Sequence, residues 1–267
     1  MKIEKKLWII LFAFGIFAIC FSGWIFRQST AREKLFWDNT IRCETKELKE
    51  GEIKSENIAL PEDFDVPKSI LFKTTHTIAE VWLDGEKIYE YGNEADAPGF
   101  MKTPGSCWHI VDIPGDSSGK NLEVRIIPVY EGYYGNEVSL VYGTRGDCIL
   151  KILTDSLGIL VISCGILFAA VICILLYCGA ARRKRSDKTE AKIEIFLNLG
   201  FFSLLVAVWT LVQCGFLQFL IPDGRTLYFV EYFSLFLFPV PFNFLLYDIC
   251  KSRYHKGALI FSILYLT

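Results

Sequence analysis

Long apolar runs interrupt the chain, and their lengths predict membrane-spanning helices. A helix needs about 20 predominantly apolar residues to cross the ~30 Å hydrocarbon core of a bilayer. Four runs reach that length, at residues 7–26, 157–178, 195–221 and 227–249. A fifth run at 258–267 has about half the required length, so we expect it to be the start of a truncated transmembrane helix. The pattern therefore predicts an α-helical transmembrane bundle.

The first run predicts an uncleaved anchor. It is longer than the roughly 7–15 apolar residues of a secretory signal core. Ser22-Gly23 is a weak candidate for a cleavage site, so removal of the first span stays open as the alternative.

Residues 35–152 show a different pattern, with short alternating runs separated by Gly, Pro, Asn and Asp, which is typical of β-strands. Asp84-Gly85 predicts a hairpin, because this dipeptide supplies the positive φ angles of a type I′ turn. At least six strands are predicted, at residues 69–74, 79–83, 86–91, 108–113, 122–129 and 138–142. Their spacing favours an all-β sandwich or jelly roll that folds as one domain.

The charge distribution changes at the same borders. The whole chain is 52% hydrophobic with a net charge of −2, and its mean hydropathy is +0.34. These values exclude a purely soluble protein and give no indication of a nucleic-acid partner. Residues 27–147 contain 14 basic and 22 acidic residues. Ten of the other 14 basic residues form clusters beside apolar runs, at residues 2–6, 182–185 and 251–256.

Lys and Arg close to membrane spans mark the cytoplasmic side. We therefore expect a multi-pass protein of the cell membrane, in contact with its lipids. Its cytoplasmic parts are the N-terminus at 1–6 and the basic loop at 179–194, and the β-domain at 35–152 is extracytoplasmic.

Two stretches of the β-domain carry a resemblance to a known family. They are Val81-Trp82-Leu83-Asp84-Gly85, which continues to Gly92, and the stretch from Pro104 to Pro114. They resemble the extracytoplasmic domain of bacterial seven-transmembrane receptors with diverse intracellular signalling modules. In that family a galactose-binding-like jelly roll precedes the helical bundle, and a cytoplasmic output domain follows it.

The resemblance extends to clostridial sensors whose output domain is a diguanylate cyclase with a Gly-Gly-Asp-Glu-Phe motif; other members carry a histidine kinase. This chain contains no such motif, no phosphoacceptor helix and no nucleotide loop. The resemblance therefore implies that the output domain is missing here and that this chain is not itself an enzyme. It also implies a homodimer, because such output domains work in pairs.

Metal or cofactor binding is not expected. The three histidines, His76, His109 and His255, form no pair at the spacing of metal ligands on a helix. We expect His76 and His109 to be surface or half-buried strand residues. Glu62, Asp63 and Asp65 lie beside prolines, where a solvated loop is the expected structure.

Three of the nine cysteines lie in the predicted extracytoplasmic region. Cys43, Cys107 and Cys148 allow one disulfide between two of them. The sequence does not choose the pair, and three reduced thiols are the alternative.

Aromatic residues are dense in the β-domain, and aromatic faces beside carboxylates and amides are typical of sugar sites. The predicted ligand-binding residues are Trp82, Asp84, Trp108, Tyr130, Tyr133, Tyr134 and Asn136. The alternative for those in strands is core or cross-strand packing. Tyr133-Tyr134 lies between glycines, where a loop aromatic favours ligand contact over packing.

Uncharged polar residues and prolines punctuate the later spans. Asn198, Gln213, Gln218 and Asn243 are expected to join helices through hydrogen bonds. Pro239-x-Pro241 predicts a kink in the fourth span, since proline lacks the backbone donor.

Together these features predict the input half of a membrane signal-transduction receptor. Its β-domain would bind an unknown small ligand, such as a carbohydrate, or a partner. The alternative is a transporter or membrane-enzyme subunit with an accessory carbohydrate-binding-like domain. A transporter predicts charged groups meeting near the bilayer midplane, and a tethered glycosidase needs two opposed carboxylates; neither pattern stands out in the sequence.

Overall fold

A computed structural model describes residues 40–42, 53–93, 101–130, 139–182, 187–250 and 257. The predicted anchor at 7–26 and the helix start at 258–267 lie outside the described residues. Contacts group the described residues into two units. The β-domain unit contains the strands, the chain up to Ser156 and the segment Gly215–Tyr228, and the helical unit contains the other described residues.

The described part of the β-domain forms two four-stranded antiparallel sheets. Sheet 1 has the order β1-β8-β3-β6, and sheet 2 has the order β2-β7-β4-β5. The strands are β1 (Thr40–Arg42), β2 (Lys54–Ala59), β3 (Lys68–Thr75), β4 (Thr77–Leu83), β5 (Glu86–Tyr91), β6 (Ser106–Ile113), β7 (Asn121–Pro128) and β8 (Ser139–Gly143). The six predicted strands are confirmed, whereas β1 and β2 were not predicted.

The core lies between the two sheets. Along β4 the side chains of Ala79, Val81 and Leu83 are buried, and the intervening residues face outward, as the alternation of strand side chains requires. Phe72 from sheet 1 and Leu122 from sheet 2 join the same apolar cluster. Removing this surface from water is the main force that holds the sheets together.

The turn between β4 and β5 has the predicted geometry. Asp84 has a φ of 48° and Gly85 a φ of 85°, the positive angles of a type I′ turn. The Asp84 carboxylate also accepts a hydrogen bond of 2.9 Å from the backbone N–H of Asn121. The predicted hairpin is therefore confirmed.

Helical structure begins before residue 152, the predicted end of the β-domain, although contacts group the chain up to Ser156 with that domain. Helix α1 (Arg145–Arg182) begins two residues after β8 ends. Thr144 and Asp147 cap it, since the Asp147 carboxylate accepts from the Thr144 N–H at 3.0 Å and the Asp147 N–H donates to the Thr144 hydroxyl at 3.2 Å. Reciprocal bonds of this kind satisfy donors at a helix start that have no partner within the helix.

Three described helices are long and apolar enough to cross a membrane, over Arg145–Arg182, Ile193–Val212 and Gly224–Asp248. They correspond to the predicted spans at 157–178, 195–221 and 227–249. The first two stretches lie in α1 and α2 (Asp187–Val212), and the third comprises α3 (Gly224–Leu237) and most of α4 (Pro239–Cys250). The helical assignment breaks at Phe238, immediately before Pro239, where the sequence predicted a kink.

Hydrogen bonds between side chains join the membrane helices. The Asn198 amide donates to the Asp248 carboxylate at 2.7 Å, and the Gln213 amide donates to Glu231 at 3.1 Å. The predicted role of Asn198 and Gln213 is confirmed. Gln218 has a different partner, because α2 ends at Val212 and a 3₁₀ helix follows at Gly215–Phe219.

Candidate functional site

The two tryptophans of the predicted ligand site belong to different sheets. Trp82 lies on β4 and faces outward from sheet 2, whereas Trp108 lies on β6 of sheet 1. Trp108 packs against a second buried cluster formed by Leu71, Cys148 and Ile152. The structure therefore does not bring the two indole rings together.

The remaining predicted ligand residues are also dispersed. Asp84 holds the hairpin turn, and Tyr130 follows β7 with its ring 5.9 Å from that of His76. Tyr133, Tyr134 and Asn136 lie outside the described residues. Ligand binding by any of these residues stays a prediction.

The outer face of sheet 2 around Trp82 is occupied by paired charges. The Arg125 guanidinium lies 4.3 Å from the centre of the Trp82 ring, and the Trp82 indole N–H donates to Glu80 at 3.0 Å. Arg125 also pairs with Glu123 at 2.7 Å, and its hydrogen bonds keep the pKa of the Glu123 carboxyl below the usual value. Because Arg125 covers the indole, a sugar ring stacking on that face would have to displace it.

A different polar cluster, which we call the seam, lies where the edge strands β5 and β6 face each other; it consists of Tyr89, Tyr91, Cys107 and His109. His109 is 1% exposed. Its Nε2 is hydrogen-bonded to the Thr74 hydroxyl at 2.7 Å and its Nδ1 to the Tyr89 hydroxyl at 2.9 Å. The expectation of a surface or half-buried His109 is therefore wrong, because both ring nitrogens find partners inside the sandwich.

Burial governs the ionisation of the seam. It lowers the pKa of His109 to about 3, so the ring is neutral at physiological pH. It raises the pKa of Tyr89 to about 12, and it raises the pKa values of Tyr91 and Cys107. All four groups are thus uncharged and serve as hydrogen-bonding groups.

The segment Gly215–Tyr228, which we call the connecting segment, follows α2, includes the first turn of α3 and contacts β6. The Gln218 side-chain amide donates to the Trp108 carbonyl at 2.7 Å, and its oxygen accepts from the Trp108 N–H at 2.8 Å. Since β6 is an edge strand of sheet 1, one glutamine makes the two bonds that a neighbouring strand would otherwise make there.

A second attachment lies at the end of the connecting segment. The Gly224 N–H donates to the Tyr91 hydroxyl at 3.1 Å, and that hydroxyl in turn contacts the Pro104 carbonyl at 3.0 Å and the Cys107 sulfur at 2.9 Å. A Cβ atom on Gly224 would overlap the Cys107 sulfur. A Cβ on Gly105, whose φ is 85°, would overlap the Gly224 carbonyl. Only glycine allows this approach of the two backbones.

Further contacts extend the second attachment. Arg225 donates from Nη2 to the Asn93 carbonyl at 2.6 Å. The ring of Tyr228 lies edge-on to His76, with 5.1 Å between centroids. The connecting segment is therefore held to the β-domain at Trp108, at Tyr91 and at the turn after β3.

Sequence reasoning did not find this contact. It assigned Gln218 to the third membrane span and expected a helix partner. One signal was present, because the run at 195–221 is longer than the ~20 residues that one crossing needs. The excess residues leave the helix and bind the sandwich.

Cys107 and Cys148 are both free thiols. The Cys107 sulfur contacts Tyr91, and the Cys148 thiol donates to the Ser69 carbonyl at 3.7 Å. A disulfide between these two cysteines is not formed, and the third candidate, Cys43, lies outside the described residues.

Comparison with known proteins adds no family to these observations. The sequence matches no protein-family model and no curated protein. Within the described ranges, no group of three His, Cys, Asp or Glu side chains is placed to hold a metal ion. The candidate functional site is therefore defined by the seam and the connecting segment bound to it.

Proposed function

We propose that this chain is the input half of a membrane receptor. Its β-domain is extracytoplasmic and binds a small ligand or a partner, and the membrane helices carry the signal to a cytoplasmic output domain. The resemblance in sequence points to a galactose-binding-like jelly roll as the input and to a diguanylate cyclase as the output.

The contact between Gln218 and the Trp108 backbone is the observation that carries this proposal. The β-domain is linked to the helices in two ways: β8 is followed directly by α1, and the connecting segment, which follows α2 and includes the start of α3, is hydrogen-bonded to β6. A ligand that favours one arrangement of the β6 edge must therefore also favour one arrangement of the connecting segment. Its differential affinity for the two arrangements sets how far the population shifts.

The contact also supports the proposed orientation. If α1 and α2 each cross the bilayer, the connecting segment emerges on the side from which α1 entered. That is the side of the β-domain, and the connecting segment is bound to the β-domain there. The basic residues between α1 and α2 then lie in the cytoplasm, as the distribution of Lys and Arg predicts.

Limited proteolysis of the full-length protein tests this orientation. Trypsin is added to intact spheroplasts and to permeabilised ones, and the cleaved bonds are identified by mass spectrometry. We expect the basic cluster at 182–185 to be cut only after permeabilisation. Cleavage of that cluster in intact spheroplasts would place the β-domain in the cytoplasm and contradict the receptor proposal.

The sequence of the gene beyond the codon for Thr267 tests the output. We expect an open reading frame that continues into a signalling domain, with a Gly-Gly-Asp-Glu-Phe motif if the output is a diguanylate cyclase. A kinase core would agree with the receptor proposal and would identify a different output domain. A stop codon shortly after the apolar run that begins at residue 258 would contradict an input half.

A further inference from the structure

We propose that the connecting segment is a releasable latch, which is bound to the β6 edge in one state and separates from it in another while the sandwich stays folded. The proposal rests on the receptor function above, because release would be the step that passes a change in the β-domain to α2 and α3. It adds a specific regulatory element, formed by Gln218 and Gly224.

The latch is held by few and mostly polar contacts. In the connecting segment only Gly224 and Leu227 are buried, whereas Phe219 and Leu220 are 42% and 68% exposed. The attachments are hydrogen bonds from Gln218, Gly224 and Arg225, together with the ring contact between Tyr228 and His76. Because each net hydrogen bond changes an equilibrium by roughly fivefold, a small set of them permits thermal release.

The sandwich core does not depend on these contacts. Its apolar cluster is built from side chains of both sheets and of the chain segments that pack between them. Release therefore exposes the edge of β6 without opening the space between the sheets. The freed backbone groups of Trp108 can then bind water, as edge strands commonly do.

One group in the latch favours release. The Arg225 Nε is buried and has no hydrogen-bond partner among the described residues. A buried donor without a partner is costly, and water would satisfy it in the released state. The docked state thus contains a local penalty that offsets part of its hydrogen bonding.

Cys107 reports the state of the latch because Gly224 covers it. Its side chain is 1% exposed, and no side chain larger than that of glycine fits between the Gly224 backbone and the sulfur. Cys148 is also buried at 3%, but it packs against Leu71 and Ile152 and bonds to Ser69. Release should expose the first thiol and leave the second covered, whereas unfolding of the domain should expose both.

The test is site-resolved thiol labelling of the full-length protein in native membranes. N-ethylmaleimide, which crosses membranes, is applied for increasing times, and the labelling of Cys107 and Cys148 is quantified separately by peptide mass spectrometry. The variants are Gln218→Ala and Gly224→Ala. The matched control is Leu220→Ala, which changes an exposed side chain of the same segment.

We expect Cys107 to be labelled faster than Cys148 in the unchanged protein. Gln218→Ala should accelerate the labelling of Cys107 about 25-fold, since it removes two hydrogen bonds of roughly fivefold each, and Gly224→Ala should accelerate that labelling at least as much. Cys148 should keep its rate in both variants, and Leu220→Ala should change neither rate.

Two results would overturn the latch. Equal acceleration of Cys107 and Cys148 would show that the connecting segment is an integral part of the domain, and an unchanged Cys107 rate in both variants would show that these residues do not hold it. Labelling is independent of the proteolysis test, because the reagent reaches both sides of the membrane. If trypsin cleaves at 182–185 in intact spheroplasts and the labelling is as expected, the receptor proposal is contradicted and the latch proposal still holds.

Discussion

The seam and the outer face of sheet 2 contain similar side chains but have different consequences. Both combine aromatic rings with hydrogen-bonding groups on neighbouring strands. In the seam, the His109 ring bonds to the hydroxyls of Thr74 and Tyr89 in the interior. On the outer face, Arg125, Lys87 and three glutamates pair beside water.

The difference lies in what happens when a partner is lost. A buried polar group that loses its partner costs about 1–3 kcal/mol, whereas an exposed charge returns to water at little cost. The seam therefore determines the position of β5, β6 and the connecting segment. The outer face of sheet 2 is free to vary and is the better place for a ligand surface that must not disturb the fold.

The largest effect is expected for His109→Ala. The change opens a cavity in the core and leaves the hydroxyls of Thr74 and Tyr89 without this partner, so the free energy of unfolding of the β-domain should fall by about 3–5 kcal/mol. Urea titration followed by pulse labelling of Cys148 measures it. Tyr89→Phe, which removes one hydroxyl, is the control and should cost about 1 kcal/mol. Equal costs for the two variants would show that the histidine has no special role in the seam.

A pH dependence should follow from the same histidine. Burial lowers the pKa of His109 to about 3 from its ordinary value of 6.5, so the unfolded chain takes up a proton that the folded domain does not. Stability is thus complete above pH 6.5 and is lost as the pH falls from 6.5 towards 3, by about 1.4 kcal/mol per pH unit. Burial also lowers the pKa of His76, which acts in the same direction.

Urea titrations at pH 7.5, 6.0 and 5.0 measure this dependence. His109→Gln keeps a polar group and removes the titrating ring. The free energy of unfolding of this variant should therefore fall less steeply with decreasing pH than that of the unchanged protein, by the contribution of one proton. Parallel slopes for the two proteins would contradict a neutral, buried His109.

The smallest effect on stability is expected for Trp82→Ala on the outer face of sheet 2. The ring is partly exposed, and its neighbours are already paired with one another, so the loss should be roughly 1 kcal/mol. If this face is the predicted sugar site, the same variant should abolish the saturation-transfer NMR signal of a galactose probe. Lys120→Ala, a change on a loop of the same domain, is the control. Signal loss in both variants would place the probe elsewhere or show that it binds without specificity.

Much of the fold was predictable because it follows from local periodicity. Alternation of apolar and polar residues located six strands, and Asp84-Gly85 located a turn whose φ angles are positive. The strand β2 was missed because Lys54–Ala59 is mostly polar. It lies at an edge of sheet 2, where only one side needs a partner and little of the strand has to be buried.

The candidate site was predictable only in part. Trp82 was predicted to bind a ligand, and the structure places it on an outer face, but the buried position of His109 was not predicted. The residues on either side of His109 in the sequence, Trp108 and Ile110, are apolar. Apolar neighbours occur in many strands and do not indicate whether the histidine itself is buried. Whether a histidine is buried there depends on Thr74 and Tyr89, which lie 35 and 20 positions away.

The sequence by itself determined the division of this protein into a β-domain and membrane helices, because the hydrophobic effect acts on runs of neighbouring residues and leaves a readable period. The tertiary structure alone decided that the connecting segment binds the sandwich. Gln218 and Trp108 are 110 positions apart, and a pair of hydrogen bonds between distant residues leaves no periodic trace in either segment. The same holds for Gly224, whose contact with Cys107 depends on the close approach of two backbones.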